Sequence, residues 1–592
     1  MRAQPILSLF VMALSFWSAS ACSNTKSSTI QDLNFETDSV DTDPADVEID
    51  VSARDSGNRM EDTVLPDIGQ DGIADNGIGD ELECGPLPLA KVRTLSAAAT
   101  DGALEPGEVL SAELDAPVVL PVMDGDEEFL LILYDLGTAM DTVANYEVTI
   151  ERGSSRLVVP PATHDVSLDS SWLKHQPPVH AQQSDTADKP FPEPPPPEIG
   201  QLLEFQVPSG YLVLEIQAEV MLVTDALVIC NDVTTENPLD DVDPAVMTSL
   251  AQYFEDLIRP RERFFWGQES DINSDGRVTM LFSHLVNDSD AYAFVTHCDL
   301  LDNTVCGFTN SQEVIYVAIP DPDEKIHTPE AFAELIAHEF NHSIYFARKF
   351  LNNGFTDSPE NVYVTEGMSG LAQDLTGFAR GNQFVAMAGL QGTDEISLPD
   401  MHQYDPEEYY FSDRDGALRG ASYLFLRYLF DQAGGEMMDM DGILSPTCGS
   451  QLLAHWINSP LTGPDLIEDM TGVDYNTVAV NWFTAVGISN RRTSDTGEKL
   501  PVHPVFSYLP QAIDPITGNE RGIDLWGAAL GMVPLTGPKT DDVSLADGVL
   551  RAGGVDYLTV KADGSGDITL HFTLGEATNP GLRVVRIDAA NQ

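Results

Sequence analysis

Apolar residues change their spacing twice along the chain, and the changes divide it into regions. Between 84 and 232 they come in short runs: Ala116-Pro-Val-Val-Leu-Pro-Val, Glu128-Phe-Leu-Leu-Ile-Leu-Tyr and Tyr211-Leu-Val-Leu-Glu-Ile-Gln. These alternate or cluster between Gly, Asp and Pro turns, which predicts strands and, from their number, a β-sandwich. Between 236 and 495 the period lengthens. Val246 to Ile258 reads as a helix, Arg277-Val-Thr-Met-Leu-Phe and Gln312-Glu-Val-Ile-Tyr-Val-Ala-Ile as strands, and 329–350, 360–378, 416–432 and 464–471 as helices. Strands followed by helices is an α+β order. From 500 to 592 strand patterns return, as in Tyr557-Leu-Thr-Val-Lys and Asp567-Ile-Thr-Leu-His-Phe-Thr-Leu, and predict a second, C-terminal β-sandwich.

The chain begins differently. Residues 1–21 combine a positive start at Arg2, an apolar run from Ile6 to Trp17 and the small residues Ala19-Ser20-Ala21, the form of a secretory signal. Cys22 follows at once, as in a bacterial lipobox, although Ala19 stands where Leu is usual. The pattern predicts lipidation of Cys22 and export to the bacterial cell envelope, at the outer membrane or cell surface, with plain secretion as the alternative. From 22 to 83 the sequence is rich in Asp, Glu, Ser and Thr and too poor in apolar residues to fold, so it reads as a disordered acidic tether.

The 592 residues carry a formal net charge of -65, with 42% of them apolar. That charge excludes a nucleic-acid partner, which needs clustered Lys and Arg to neutralise phosphates. Five cysteines remain after Cys22. Cys298 and Cys306 can close a small loop, Cys84 and Cys230 bracket a candidate domain, and Cys448 is left over. No CxxC pair points to a structural zinc site.

Chemistry concentrates in one helical segment. Thr328 is a good N-cap and Pro329 a good first residue; inside the helix, His338 and His342 are four apart and project from one face. That spacing lets two imidazoles hold one zinc ion. Glu339, beside the first of them, can take a proton from a water held by the metal. The extended HExxHxxGxxH form is excluded, because Tyr345 and Arg348 stand where it needs Gly and His. Two later acids compete to be the third ligand. Glu366 lies in the helix-like Val364-Thr-Glu-Gly-Met-Ser-Gly-Leu-Ala-Gln-Asp-Leu and Asp357 in a loop; the more rigid setting favours Glu366.

HEFNH followed by TEGMSGLAQDL resembles the gluzincin metallopeptidases, and within them the hyicolysin-like family. Asp271-Ile-Asn-Ser-Asp-Gly-Arg-Val-Thr-Met-Leu-Phe and Gly420-Ala-Ser-Tyr-Leu-Phe-Leu-Arg-Tyr-Leu add to the resemblance, which spans 236–495. It implies a thermolysin-like zincin domain flanked by the two β-sandwiches, peptide or protein substrates, and zinc on His338, His342 and Glu366. Two positions depart from the pattern. Gly370 stands where many gluzincins carry an acid that orients a zinc histidine, and Ala417 where aminopeptidase-type relatives carry a Tyr that stabilises the oxyanion. Tyr423 is the candidate for that hydroxyl, with His402, Tyr409 and Tyr410 as alternatives. No GxMEN-type segment for a free amino terminus is present, which favours an endopeptidase over an aminopeptidase. The competing reading is a non-catalytic surface-binding lipoprotein built on a degenerate zincin scaffold.

One motif stands apart. Asp271, Asn273 and Asp275 offer oxygens at alternate positions, like the opening of a calcium (Ca2+) loop, but Phe282 occupies the place of that loop's bidentate Glu. A plain turn before a strand explains it equally well.

Overall fold

The structure is a computed structural model. It describes residues 84–588 apart from 89–91, 96–103, 138–142, 155–194, 210–211, 235–241, 289–290, 321–327, 352–361, 394–414, 528–533 and some single positions. The signal segment, Cys22, the acidic stretch to 83, Asp357, His402, Tyr409 and Tyr410 therefore lie outside the described residues.

Strands β1 (Arg93–Leu95), β2 (Val109–Ala112), β3 (Val118–Leu120), β4 (Glu128–Asp135) and β5 (Val143–Ser154) come first. They are followed by β6 (Leu202–Ser209), β7 (Leu212–Val223) and β8 (Leu227–Asp232). The latter three join β9 (Val278–Phe282), β10 (Ala293–Val295) and β11 (Val314–Val317) in a mixed sheet of order β10-β11-β9-β8-β7-β6. Parallel pairing of β8 with β9 requires a crossover, supplied by helices α1 (Pro244–Tyr253) and α2 (Arg259–Trp266). Side chains alternate between the sheet's faces. Leu227, Ile229, Val278, Met280, Ile315 and Val317 enter the main core, while Val228, Cys230, Leu281, Val314 and Tyr316 enter a smaller one with Phe205 and Val207.

The helical layer consists of α3 (Pro329–Tyr345), α4 (Val362–Thr376), α5 (Asn382–Gln391), α6 (Asp415–Gln432), α7 (Cys448–Asn458), α8 (Gly463–Thr471) and α9 (Tyr475–Ile488). The Thr328 hydroxyl caps α3 by accepting from the Ala331 N–H at 3.2 Å. Phe332, Ile336, Phe340 and Ile344 anchor this helix in the main core. The predicted helix over 329–350 divides: the α-helical part ends at Tyr345, and Phe346–Leu351 forms a π-helical turn. Two short ladders, β12 (Met437–Met438) with β13 (Leu444–Ser445) and β14 (Ala512–Ile513) with β15 (Glu520–Arg521), close loops beside the helices.

The last strands are β16 (Asp541–Asp542), β17 (Asp547–Arg551), β18 (Val555–Lys561), β19 (Asp567–Leu574) and β20 (Pro580–Arg586). They correct the expectation of two separate sandwiches over 84–232 and 500–592. One sandwich forms instead, from sheets β1-β2-β20-β4-β18-β16 and β17-β5-β19-β3, and both ends of the described chain contribute to each. β4 lies between β18 and β20, and β5 between β17 and β19. Phe129, Leu131 and Leu133 of β4 fill the space between the two sheets, with Leu558, Leu570 and Leu582. Leu130 and Ile132 turn the other way, into the main core with Tyr557, whose hydroxyl donates to the Phe483 carbonyl of α9 at 2.8 Å. The sandwich thus packs on the helical layer and shares its core.

The cysteine pairing differs in part from the bracketing of a domain by Cys84 and Cys230. Cys298 joins Cys306 as the short spacing allows, Cys84 joins Cys448 at the start of α7, and Cys230 is a buried free thiol inside β8.

Candidate metal centre

Helices α3 and α4 pack side by side and bring the predicted ligands together. His338 Nε2 and His342 Nε2 are 3.2 Å apart; Glu366 Oε2 lies 3.2 Å from the first, and Glu366 Oε1 3.5 Å from the second. Four-residue spacing on α3 sets the imidazole pair, and the buried stripe Val364, Met368, Leu371 and Leu375 turns Glu366 on α4 toward it. All three residues are buried. A tetrahedral zinc with ligands at about 2.0–2.2 Å has ligand–ligand edges of roughly 3.3–3.6 Å. The three separations fall at or just below that range, so the donor set fits zinc in size as well as in chemistry.

Charge is distributed to suit a cation. Burial acts to raise the Glu366 carboxyl, but Arg419 and hydrogen bonds from both imidazoles more than reverse this and hold it well below the usual carboxylate range. Burial also acts to lower His342, yet Glu366 and then Glu339 overcome it, and the imidazole ends above its ordinary value. Glu339 is fully buried next to the first histidine. The two carboxylates thus draw positive charge to the point that a metal would occupy. Neither the protein-family models nor the curated proteins contain a match to this chain.

Four residues contribute that the sequence did not single out. Arg419 on α6 contacts Glu366 Oε2 directly. Ser369 Oγ, fully buried, lies 3.3 Å from His342 Nδ1 and 3.4 Å from Asn341 Oδ1. It stands one residue before Gly370, where the acid was missing. Asn341 lies near Glu262 of α2, a carboxyl that burial pushes well above its ordinary range. No local pattern marks these residues, because their partners are remote in sequence: 53 positions separate Arg419 from Glu366, and 27 separate Ser369 from His342.

Tyr423, the expected oxyanion-stabilising hydroxyl, is placed elsewhere. It is buried, and its hydroxyl donates to Asp374 Oδ2 at 2.9 Å, an oxygen shared with Arg427 at 2.8 Å. Asp374 is eight residues beyond Glu366 on α4, about 12 Å along the helix axis. The ring crosses α4 at Gly370, where an added Cβ would stand 3.3 Å from Tyr423 Cβ. Tyr423 therefore occupies the space of the missing acid and belongs to the packing between α4 and α6.

Proposed function

We propose that this chain is a zinc metalloendopeptidase of the exported, lipid-anchored kind, with zinc held by His338, His342 and Glu366. The observation that carries the reading is the trio of buried donors with separations close to the edges of a zinc tetrahedron, flanked by the Glu339 carboxylate. Bound zinc supplies Lewis acidity, polarising a scissile carbonyl and lowering the pKa of a water to about 7. Glu339 accepts the proton of the attacking water and passes it to the leaving amide nitrogen. Arg419 is the cation beside the trio, so in this reading it takes the part first given to Tyr423 and faces the charge that develops on the carbonyl oxygen. Ser369 Oγ packs against the His342 ring, 3.3 Å from Nδ1 and 3.4 Å from Nε2, and restricts its movement.

Export and anchoring rest on residues 1–22 alone. Cys22→Ser is the variant that separates anchored protein from released protein.

A second reading draws on the contact between Arg419 and Glu366. There the carboxylate is neutralised by the guanidinium, and the domain is a scaffold for binding without catalysis. Casein hydrolysis distinguishes the two. The peptidase reading requires activity that a zinc chelator abolishes and zinc restores. It also requires Glu339→Gln to keep its metal and fold while losing about 10²–10⁴-fold in turnover. No cleavage at all from the zinc-loaded protein favours the scaffold, and chelator-resistant cleavage would overturn the zinc mechanism.

A further inference from the structure

Two groups of side chains among the described residues bring three metal-ligating atoms within 4.8 Å of one another: the trio above, and His297 with Cys298 and Cys306. The turn Asp271-Ile-Asn-Ser-Asp-Gly is not a third. There Asp271, Asn273 and Asp275 accept from the N–H groups of Gly276, Asp275 and Arg277, as in a plain turn before a strand. The His297 group plays no part in the metal centre described above.

Local structure sets this group. After β10 the chain enters a single 3₁₀ turn, His297–Leu300, and the Thr296 hydroxyl caps it by accepting from the Cys298 N–H at 3.2 Å. A second short turn, Asn303–Cys306, returns Cys306 to Cys298, and the two form a disulfide. His297 and Cys298 are buried, whereas Cys306 is half-buried. The His297 ring stands against Phe346 and Phe350, with centroids 5.6 and 5.1 Å away, and its Nε2 lies 3.9 Å from each sulfur. Burial keeps this imidazole uncharged, pushing its pKa down to about 4. An uncharged imidazole gains little from bonded sulfur, a weak acceptor, but is a good metal ligand. Asp299, the next acid along the turn, is already engaged: its carboxylate accepts from Asn310 and Tyr316.

We propose that His297, Cys298 and Cys306 form a redox-gated zinc site, closed by the disulfide and opened when a dithiol reduces it. The disulfide takes two electrons and two protons from the dithiol, which leaves as its own disulfide after a mixed-disulfide step. Each new thiol gives up its proton on binding zinc, so two protons are released per ion. Two thiolates and one imidazole are donors that zinc takes, and water completes the tetrahedron. In such a tetrahedron the nitrogen–sulfur edges measure roughly 3.5–3.6 Å and the sulfur–sulfur edge about 3.8 Å. His297 Nε2 already stands near that distance from both sulfurs. The sulfurs must move apart, and the movement falls to Cys306, half-buried on its short turn, since Cys298 is held in the interior. Their loop spans 8 positions against 364 for Cys84–Cys448, so opening it returns less freedom to the unfolded chain and costs the fold less. The inference does not depend on the zinc trio or on peptidase activity.

Cobalt(II) titration tests this, on full-length protein loaded with one equivalent of zinc and reduced with a phosphine, which competes little for metal. Cobalt stands in for zinc because thiolate ligands give it an intense charge-transfer band in the near ultraviolet. The His338, His342 and Glu366 trio contains no sulfur, so cobalt entering that trio leaves the band unchanged. The band should saturate at one cobalt per chain in reduced protein, be absent before reduction, and be bleached by added zinc. His297→Ala should weaken cobalt binding about tenfold or more. Cys306→Ser, at a half-buried position on a short turn, should weaken it at least as much and decides the matter if the first variant does not fold. A band present before reduction, no saturable band after it, equal affinity in either folded variant, or loss of the circular-dichroism signal on reduction would overturn the proposal.

Discussion

Buried carboxylates reveal how single residues share the burden of the fold. Asp514 is wholly buried, with Arg261 Nη1 at 2.7 Å, Arg261 Nη2 at 3.3 Å and Arg521 Nε at 3.3 Å. Burial acts to raise its carboxyl, but the bond and charge of Arg261 outweigh this and leave it below the ordinary range. A carboxyl depressed in the folded state contributes stability above its unfolded value of about 3.9, and that contribution is lost as pH falls through the folded value. Asp514→Asn should therefore destabilise the protein by about 3–5 kcal/mol at neutral pH, since it takes from the buried Arg261 guanidinium its carboxylate partner. Below pH ~4 the gap to wild type should narrow. Denaturant unfolding at a series of pH values checks this, and a gap that stays constant down to pH 3 would refute the role given to Asp514. At this scale the sequence was informative where chemistry is local. His338, Glu339 and His342 share one helical turn, and Glu366 sits on a stripe that fixes its direction. Tyr423 misled because a tyrosine on an apolar helix looks the same whether its hydroxyl faces a substrate or an Asp374 from the neighbouring helix.

Between elements, glycines allow the helices that carry the site to approach closely. A Cβ on Gly367 would stand 2.2 Å from Ser422 Oγ and 2.8 Å from the Ser422 carbonyl. One on Gly420 would stand 1.7 Å from the Val385 carbonyl. The short distances to backbone atoms mean that α6 must retreat from α4 or α5 to accept a methyl group. Gly367→Ala should accordingly cost about 1–3 kcal/mol as overpacking. It should also draw Arg419 away from Glu366, since these residues sit on the two helices being separated. The denaturant midpoint measures the first effect; an unchanged midpoint would show that α6 yields freely. Periodicity made α1, α3, α4, α6 and α8 legible, and the Thr328 cap marked the start of α3 correctly, but α5, α7 and α9 were not read. The glycine contacts were not legible, because a glycine inside a helix carries no mark of the helix it will meet.

Across the whole molecule, chain ends and middle are joined in ways that strand patterns cannot specify. Alternation fixes which residues face a core and leaves the choice of neighbour open. That is why 84–154 and 541–586 read as parts of separate domains and yet form one sandwich, while 202–232 joins the central sheet. The Cys84–Cys448 bond adds a covalent tie across 364 positions. A chain beginning at Cys84 should consequently stay folded and soluble. A chain ending near 500 should not, because it strips both neighbours from β4 and exposes Leu130 and Ile132. Solubility and near-ultraviolet circular dichroism of the two truncations provide the comparison. A folded protein ending at 500 would restore the picture of an independent C-terminal domain.

The central claim is that His338, His342 and Glu366 hold one zinc ion, and elemental analysis of purified protein tests it most directly. The geometry predicts one zinc per chain in the wild type and in Glu339→Gln, and loss of that zinc in His338→Ala and Glu366→Ala while circular dichroism shows the fold retained. Full zinc occupancy in either of those two variants, or a wild type without zinc after exposure to it, would contradict the account.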